Sequence, residues 1–188
     1  MTNRKNALCA IVIGALAGFS GSAWASEQAT ATISGTPIAG GFNYNVSLTN
    51  TSTDGSQIGT FWFSWIPGFD FMEAKPTSIT SPAGWNFTIT GSNNSSDGNA
   101  ILWQGGPALT QGNTDHFSFD STETLAQLEG PSSYFSAYPE TTAFIYSGGP
   151  FSDGGEKIVA TAVVPEPVSA GIIALCSGGL LLRRRRTA

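Results

Sequence analysis

Apolar and polar side chains alternate in several short runs of this chain, which is the period of a half-buried β-strand. In the clearest run, FNYNVSLTN at 42–50, every second side chain is apolar, so these side chains share one face of a strand. The other predicted strands, bounded by turn-forming residues, are ATATIS (29–34), QIGTFWFSWI (57–66), GWNFTIT (84–90), AILW (100–103), DHFSFDS (115–121), TAFIYS (142–147) and EKIVATAVV (156–164). The pattern therefore predicts about eight strands.

The order of these elements indicates an all-β fold. No stretch has the period of an amphipathic helix between strands, as an α/β protein would require. TETLAQLEG at 122–130 is compatible with a short helical turn or a strand, and we favour a strand. An antiparallel β-sandwich is the predicted architecture, with a jelly roll as the alternative.

Composition agrees with a turn-rich β-domain, and the charges are unevenly distributed. Only 11% of the 188 residues are charged, against roughly 25% in an average globular domain. The formal net charge is −5, but residues 26–164 contain two lysines against twelve acidic residues, a net charge of −10. A domain of this charge repels phosphate backbones, which argues against nucleic acid as a partner.

The N-terminus has the three parts of a secretory signal peptide. Arg4 and Lys5 precede an apolar run at 7–19, and Ala23 and Ala25 are the small residues that a signal peptidase reads. We therefore predict a signal helix over 1–25, cleavage after Ala25, and export of the remainder. Signal peptidase and the export machinery would then be partners of the precursor.

The C-terminus combines an extended segment, an apolar run and a cluster of basic residues. Two prolines flank a glutamate at 165–167, and the apolar run at 168–182 is shorter than the ~20 residues of an untilted membrane span. Four arginines follow it: Arg183, Arg184, Arg185 and Arg186. Long basic side chains extend the effective span and favour the cytoplasmic side of the membrane. The pattern predicts a short transmembrane helix that anchors the protein with its C-terminus in the cytoplasm.

The stretch VPEPVSAGIIALCSGGLLLRRRR resembles the PEP-CTERM sorting signal of exported proteins from Gram-negative bacteria. The resemblance implies that exosortase recognises Pro165, Glu166 and Pro167, removes the tail and passes the protein to the cell surface or the extracellular matrix. It also implies an association with exopolysaccharide and biofilm. The domains are then a signal peptide (1–25), a β-sandwich (26–164) and a sorting signal (165–188).

Candidate catalytic residues are few between the two terminal segments. His116 is the only histidine, and its place in a strand predicts that it points to solvent, away from Phe117. The neighbouring acids Asp70 and Glu73, and likewise Asp120 and Glu123, are the candidate carboxylate pairs for a glycosidase. Neither pair is predicted to face across a cleft, so we expect a protein that is not an enzyme.

We expect no cofactor. Both cysteines, Cys9 and Cys176, lie in the terminal segments, which excludes a disulfide framework from the domain. Loops containing Asp97 and Asp153 offer oxygen ligands, so a structural calcium ion is the alternative. Asp-Gly is also ordinary turn chemistry, and neither loop has the spacing of an EF-hand.

Aromatic side chains are the remaining candidates for ligand contact. Trp85 and Trp103 suit either a core or stacking on a sugar ring, and the core is favoured because a domain without disulfides needs large buried side chains. Tyr134 and Tyr138 lie in a predicted loop and are the better candidates for exposed contacts. The sequence thus predicts a non-enzymatic surface or matrix protein, with a carbohydrate-binding module or a polysaccharide-acting enzyme as the alternative.

Overall fold

The computed structural model describes residues 27–91 and 97–163, and the predicted all-β class is confirmed for them. Their elements are β1 (Ala29–Ile38), β2 (Gly41–Asn50), β3 (Ile58–Phe63), β4 (Trp65–Ile66), β5 (Phe69–Asp70), β6 (Thr77–Thr80), β7 (Asn86–Gly91), β8 (Asn99–Leu109), β9 (Thr114–Ser121), α1 (Leu125–Leu128), β10 (Thr142–Tyr146) and β11 (Glu156–Ala162). Within these two ranges, no helix has the length and apolar character to cross a membrane. The predicted signal helix and C-terminal helix lie outside the described residues.

Nine of the strands form one sheet in the order β6-β9-β2-β1-β11-β10-β3-β8-β7, and β4 pairs with β5. All pairs are antiparallel except β1 and β11, which run parallel with Ala31 opposite Ala160. The prediction of a wholly antiparallel arrangement is therefore wrong at this pair. Alternation in a sequence specifies which side chains share a face, but it carries no information on the direction of a neighbouring strand.

Strand β11 joins the two halves of the sheet, which are β6-β9-β2-β1 on one side and β10-β3-β8-β7 on the other. Its first residues, Glu156 to Val159, pair with β10, and its last residues, Ala160 to Ala162, pair with β1. Beyond the strand, Val163 N–H donates a hydrogen bond to the Ile33 carbonyl at 2.8 Å. The final strand is thus flanked on both sides within the sheet.

The two halves of the sheet enclose a single main core. Phe61 of β3 and Trp103 of β8 contact Phe117 of β9, with ring centroids 5.1 and 4.9 Å apart. Phe63 similarly lies 5.4 Å from Phe119. Because β3 and β8 belong to one half and β9 to the other, these contacts hold the halves face to face.

The alternation in β2 is confirmed by the burial of its side chains. Tyr44, Val46 and Leu48 are fully buried, whereas Asn45 between them is exposed. The run at 57–66 forms two strands rather than one, because Ser64 takes a left-handed conformation (φ 57°) between β3 and β4.

The prediction of a strand at 122–130 is wrong, because Leu125–Leu128 form one turn of α-helix. A capping box explains this turn. The Thr124 hydroxyl accepts a hydrogen bond from Gln127 N–H, and the Gln127 side chain accepts one from Thr124 N–H at 2.8 Å. The turn leads from β9 towards the loop that precedes β10.

Candidate functional site

The tryptophans that were candidates for sugar contact are buried. Trp103 is fully buried and Trp85 is 6% exposed, so neither ring has a free face for a ligand. Trp62 and Trp65 stack on each other at 3.8 Å outside the main core, and Phe151 covers them edge-on. The predicted core role of the tryptophans is confirmed, and the carbohydrate hypothesis loses its main support.

The predicted aromatic loop at 131–140 is partly exposed. Tyr134 is 39% exposed, and Tyr138 is half-buried beneath the Lys157 ammonium group, which lies 4.3 Å from its ring centroid. Between them, Phe135 stacks on Phe69 at 4.7 Å, and Phe69 is 47% exposed. These rings form an apolar patch at the surface of the loop.

His116 points to solvent, as predicted. Its Nδ1 lies 2.9 Å from the Ser47 hydroxyl on the outer face of the sheet. Asp115 precedes it in the same strand and therefore projects to the opposite face, so the three side chains cannot form a Ser-His-Asp triad.

The acids suggested as pairs by sequence proximity have other described partners. Asp70 accepts a hydrogen bond from the Thr90 hydroxyl, and Asp120 accepts one from the Asn43 side-chain amide at 2.7 Å. The other member of each pair joins a third acid instead. Glu73, Glu123 and Glu140 each place a carboxylate oxygen within 4.8 Å of the other two, and we call these three residues the acid cluster.

Three separate segments supply the acid cluster. Glu73 follows β5, Glu123 lies between β9 and α1, and Glu140 lies two residues before β10. Glu123 is 6% exposed and Glu140 1%, whereas Glu73 is at the surface. The cluster therefore consists of a buried carboxyl pair with one exposed neighbour.

Backbone N–H groups orient all three carboxylates. Glu140 Oε2 accepts from Glu73 N–H at 3.1 Å, and Glu123 Oε2 accepts from Ala74 N–H at 3.0 Å. In turn, Glu73 Oε1 accepts from Ser133 N–H at 2.6 Å. The cluster thus connects the segment at 71–75 to both the α1 region and the aromatic loop.

Burial raises the pKa of both inner carboxyls. The pKa of Glu140 rises to about 9, because burial and then the Glu123 charge disfavour its ionised form. Burial also raises the pKa of Glu123, although the hydrogen bond from Ala74 N–H lowers it in part. Glu140 therefore keeps its proton at neutral pH and donates it in a hydrogen bond to Glu123.

This arrangement does not suit glycoside hydrolysis. Glycosidases hold their carboxyl groups about 5 Å or more apart on either side of the scissile bond. Here the two buried carboxyls bond to each other and to backbone N–H groups, which leaves no space between them for a sugar. The geometry favours a role in holding the segments together.

Within 27–91 and 97–163, the acid cluster is also the group of three carboxylates that lie close enough to share a cation. Calcium takes six to eight oxygen ligands, and the cluster oxygens already accept the hydrogen bonds given above. In the predicted calcium loop, Asp153 accepts from the Ser147 hydroxyl and backbone and from Gly155 N–H at 2.7 Å. Through these hydrogen bonds, Asp153 stabilises the turn between Ser147 and Gly155.

Glu140 is the functional candidate that the sequence analysis missed. It lies far along the chain from Glu73 and Glu123, and only the packing of three loops brings the acids together. The one local signal is an acidic residue directly before a β-branched, apolar strand (TTAFIYS), a position where burial is expected.

The predicted processing residues lie outside the described residues; these are Ala23, Ala25, Pro165, Glu166, Pro167 and the four arginines at 183–186. No protein-family model matches the chain, and no curated protein matches it in sequence.

Proposed function

We propose that the protein is a non-enzymatic component of the cell surface or extracellular matrix, exported through its signal peptide and sorted by exosortase through its C-terminal signal. In this proposal the tail anchors the protein transiently in the inner membrane before it is removed. The mature product is the acidic β-domain, and exopolysaccharide is its expected environment. We class this domain as a β-sandwich, in preference to a jelly roll, because two halves of a sheet enclose its core.

The observation that carries the proposal is the stretch at 165–186, in which Pro-Glu-Pro, an apolar run and four arginines follow one another. Strand β11 ends at Ala162, and the last described hydrogen bond is made by Val163 N–H, two residues before Pro165.

The direct test is mass spectrometry of the protein recovered from the surface of the producing bacterium. We expect a mature N-terminus at Ser26 and no peptide that contains the arginine cluster at 183–186. Replacement of residues 165–167 by alanines should leave the tail attached and the protein in the membrane. An intact C-terminus on the native surface protein would exclude exosortase processing.

A carbohydrate-binding module is the second candidate function. The exposed rings of Tyr134 and Phe69 favour this function. Exposed aromatic rings bind sugars by stacking, and both rings adjoin Phe135. A pull-down on the producer's exopolysaccharide should then retain the wild type and release a Tyr134→Ala, Phe69→Ala double variant. Equal retention of the two proteins would exclude these rings as the binding site.

A further inference from the structure

The acid cluster closes the aromatic loop onto the segment that follows β5. The loop returns on itself, because Glu140 N–H donates to the Gly130 carbonyl at 3.2 Å and Pro131 forms an isolated bridge with Pro139. Its contacts with the segment at 71–75 are of two kinds, the hydrogen bonds of the acid cluster and the ring contacts of Phe135.

We propose that the Glu123–Glu140 carboxyl pair is a pH-sensitive latch: while the pair shares a proton it holds the loop at 130–141 against the segment at 71–75, and loss of that proton releases the loop. Both carboxyls are buried, and their oxygens lie within 4.8 Å of each other. Without a shared proton, two carboxylates would repel each other in a poorly solvated site.

The groups around the pair offer little compensation for a second negative charge. Glu73 adds a third carboxylate, and Tyr44 of β2 directs its hydroxyl to the Glu123 carbonyl at 2.6 Å. The described ranges contain two lysines, of which Lys157 lies over Tyr138 and Lys75 lies two residues beyond Glu73 at an exposed position. The influences that raise the Glu140 pKa are burial and neighbouring carboxylates.

The region released by the latch has a defined extent. On release, three N–H groups lose their acceptors, those of Glu73, Ala74 and Ser133. The ring contacts of Phe135 with Phe69 and Phe71 then lose the support of these hydrogen bonds. Phe71 and Met72 are fully buried in the closed state, so opening would expose apolar side chains. The strands of the main core do not depend on these bonds.

Amide hydrogen exchange tests the latch, with wild type and Glu140→Gln compared at the same pH so that the intrinsic exchange rate cancels. Glutamine keeps the shape and a hydrogen-bond donor but cannot ionise. At about pH 9 the amides of Glu73, Ala74 and Ser133 should exchange about tenfold or more faster in the wild type than in the variant. At about pH 5 the two proteins should exchange these amides equally.

The control variant is Glu129→Gln, which removes an exposed acid on the neighbouring turn and should behave as the wild type at both pH values. If Glu140→Gln does not fold, Glu123→Gln removes the same repulsion and should give the same result. Equal exchange in the wild type and the folded variant at pH 9 would overturn the latch. So would equal protection of these three amides and of the Trp62 amide in β3 in the wild type at pH 9, because release would then be global unfolding.

Discussion

Glu140 donates a hydrogen bond to Glu123 although both side chains are acidic and almost completely buried. A buried pair of this kind is stable only while it holds a proton, because the second charge would lack solvent and a basic partner. The relationship links the stability of the fold to pH in a direction opposite to that of an ordinary salt-bridged carboxylate.

Stability should decrease as the pH rises. The pKa of Glu140 is about 9 in the folded protein against an ordinary 4.5, so the folded state binds the proton more tightly than the unfolded state. The stabilisation is therefore complete below pH 4.5 and is lost as the pH rises towards 9. Urea unfolding followed by tryptophan fluorescence should give a lower free energy of unfolding at about pH 8.5 than at about pH 6.

The Glu140→Gln variant separates this effect from the titration of other groups. Its free energy of unfolding should change less than that of the wild type over the same pH interval, and should exceed it at the alkaline end. The Glu129→Gln variant should keep the wild-type dependence. Parallel curves for wild type and Glu140→Gln would contradict the assignment of the buried proton to this pair.

Trp103 should be among the most costly residues to truncate. It is fully buried and contacts Phe61 at 5.5 Å and Phe117 at 4.9 Å, so it joins the two halves of the sheet. Replacement by alanine should reduce the free energy of unfolding by about 3–5 kcal/mol. The Tyr134→Ala variant, which truncates an exposed ring, should lose less than about 1 kcal/mol in the same denaturation experiment. Similar losses for both variants would contradict the core position of Trp103.

Gly106 should not tolerate a side chain. A Cβ atom at this position would lie 2.2 Å from Cδ1 of Trp85, whose ring is packed against Phe117. The Gly106→Ala variant should lose about 1–3 kcal/mol because the indole must move out of its packed position. Gly149 provides the matched control, since no atom lies within 4 Å of the corresponding Cβ. Thermal unfolding of the two alanine variants should show a lowered midpoint for Gly106→Ala alone.

The end of β11 should contribute to the stability of the domain. A protein that ends at Val163 retains all described hydrogen bonds of β11, including that from Val163 N–H to the Ile33 carbonyl. Removal of residues 161–163 as well should lower the unfolding midpoint, because Thr32 and Ile33 of β1 lose their partners. Circular dichroism melts of the two truncated proteins check this, and equal midpoints would show that the end of β11 is dispensable.

Local patterns predicted the fold more fully than they predicted the acid cluster. The alternation around Tyr44 identified the buried face of β2, because the side-chain period of two is a property of the strand itself. The direction of β11 beside β1 depends on the path of the whole chain, so its own residues could not indicate it. The turn at Leu125–Leu128 has a local signal in the sequence, the capping-box spacing of Thr124 and Gln127.

The acid cluster illustrates what sequence proximity cannot supply. Asp70 and Asp120 were paired with Glu73 and Glu123 because they are close along the chain, yet their side chains bond to Thr90 and Asn43. Glu140 reaches the cluster only when β10 pairs with β3 and the preceding loop closes. Contacts among loops depend on strand register, which is set by packing over the whole domain.

The placement of β11 between two neighbours has a mechanical consequence. Tension applied to the chain beyond Val163 acts along β11 and across the hydrogen bonds that join it to β1 and β10. Hydrogen bonds of a ladder lie across the strands, so a pull along one strand shears them together instead of opening them one at a time. A domain pulled through this strand would therefore resist unfolding until these hydrogen bonds break together.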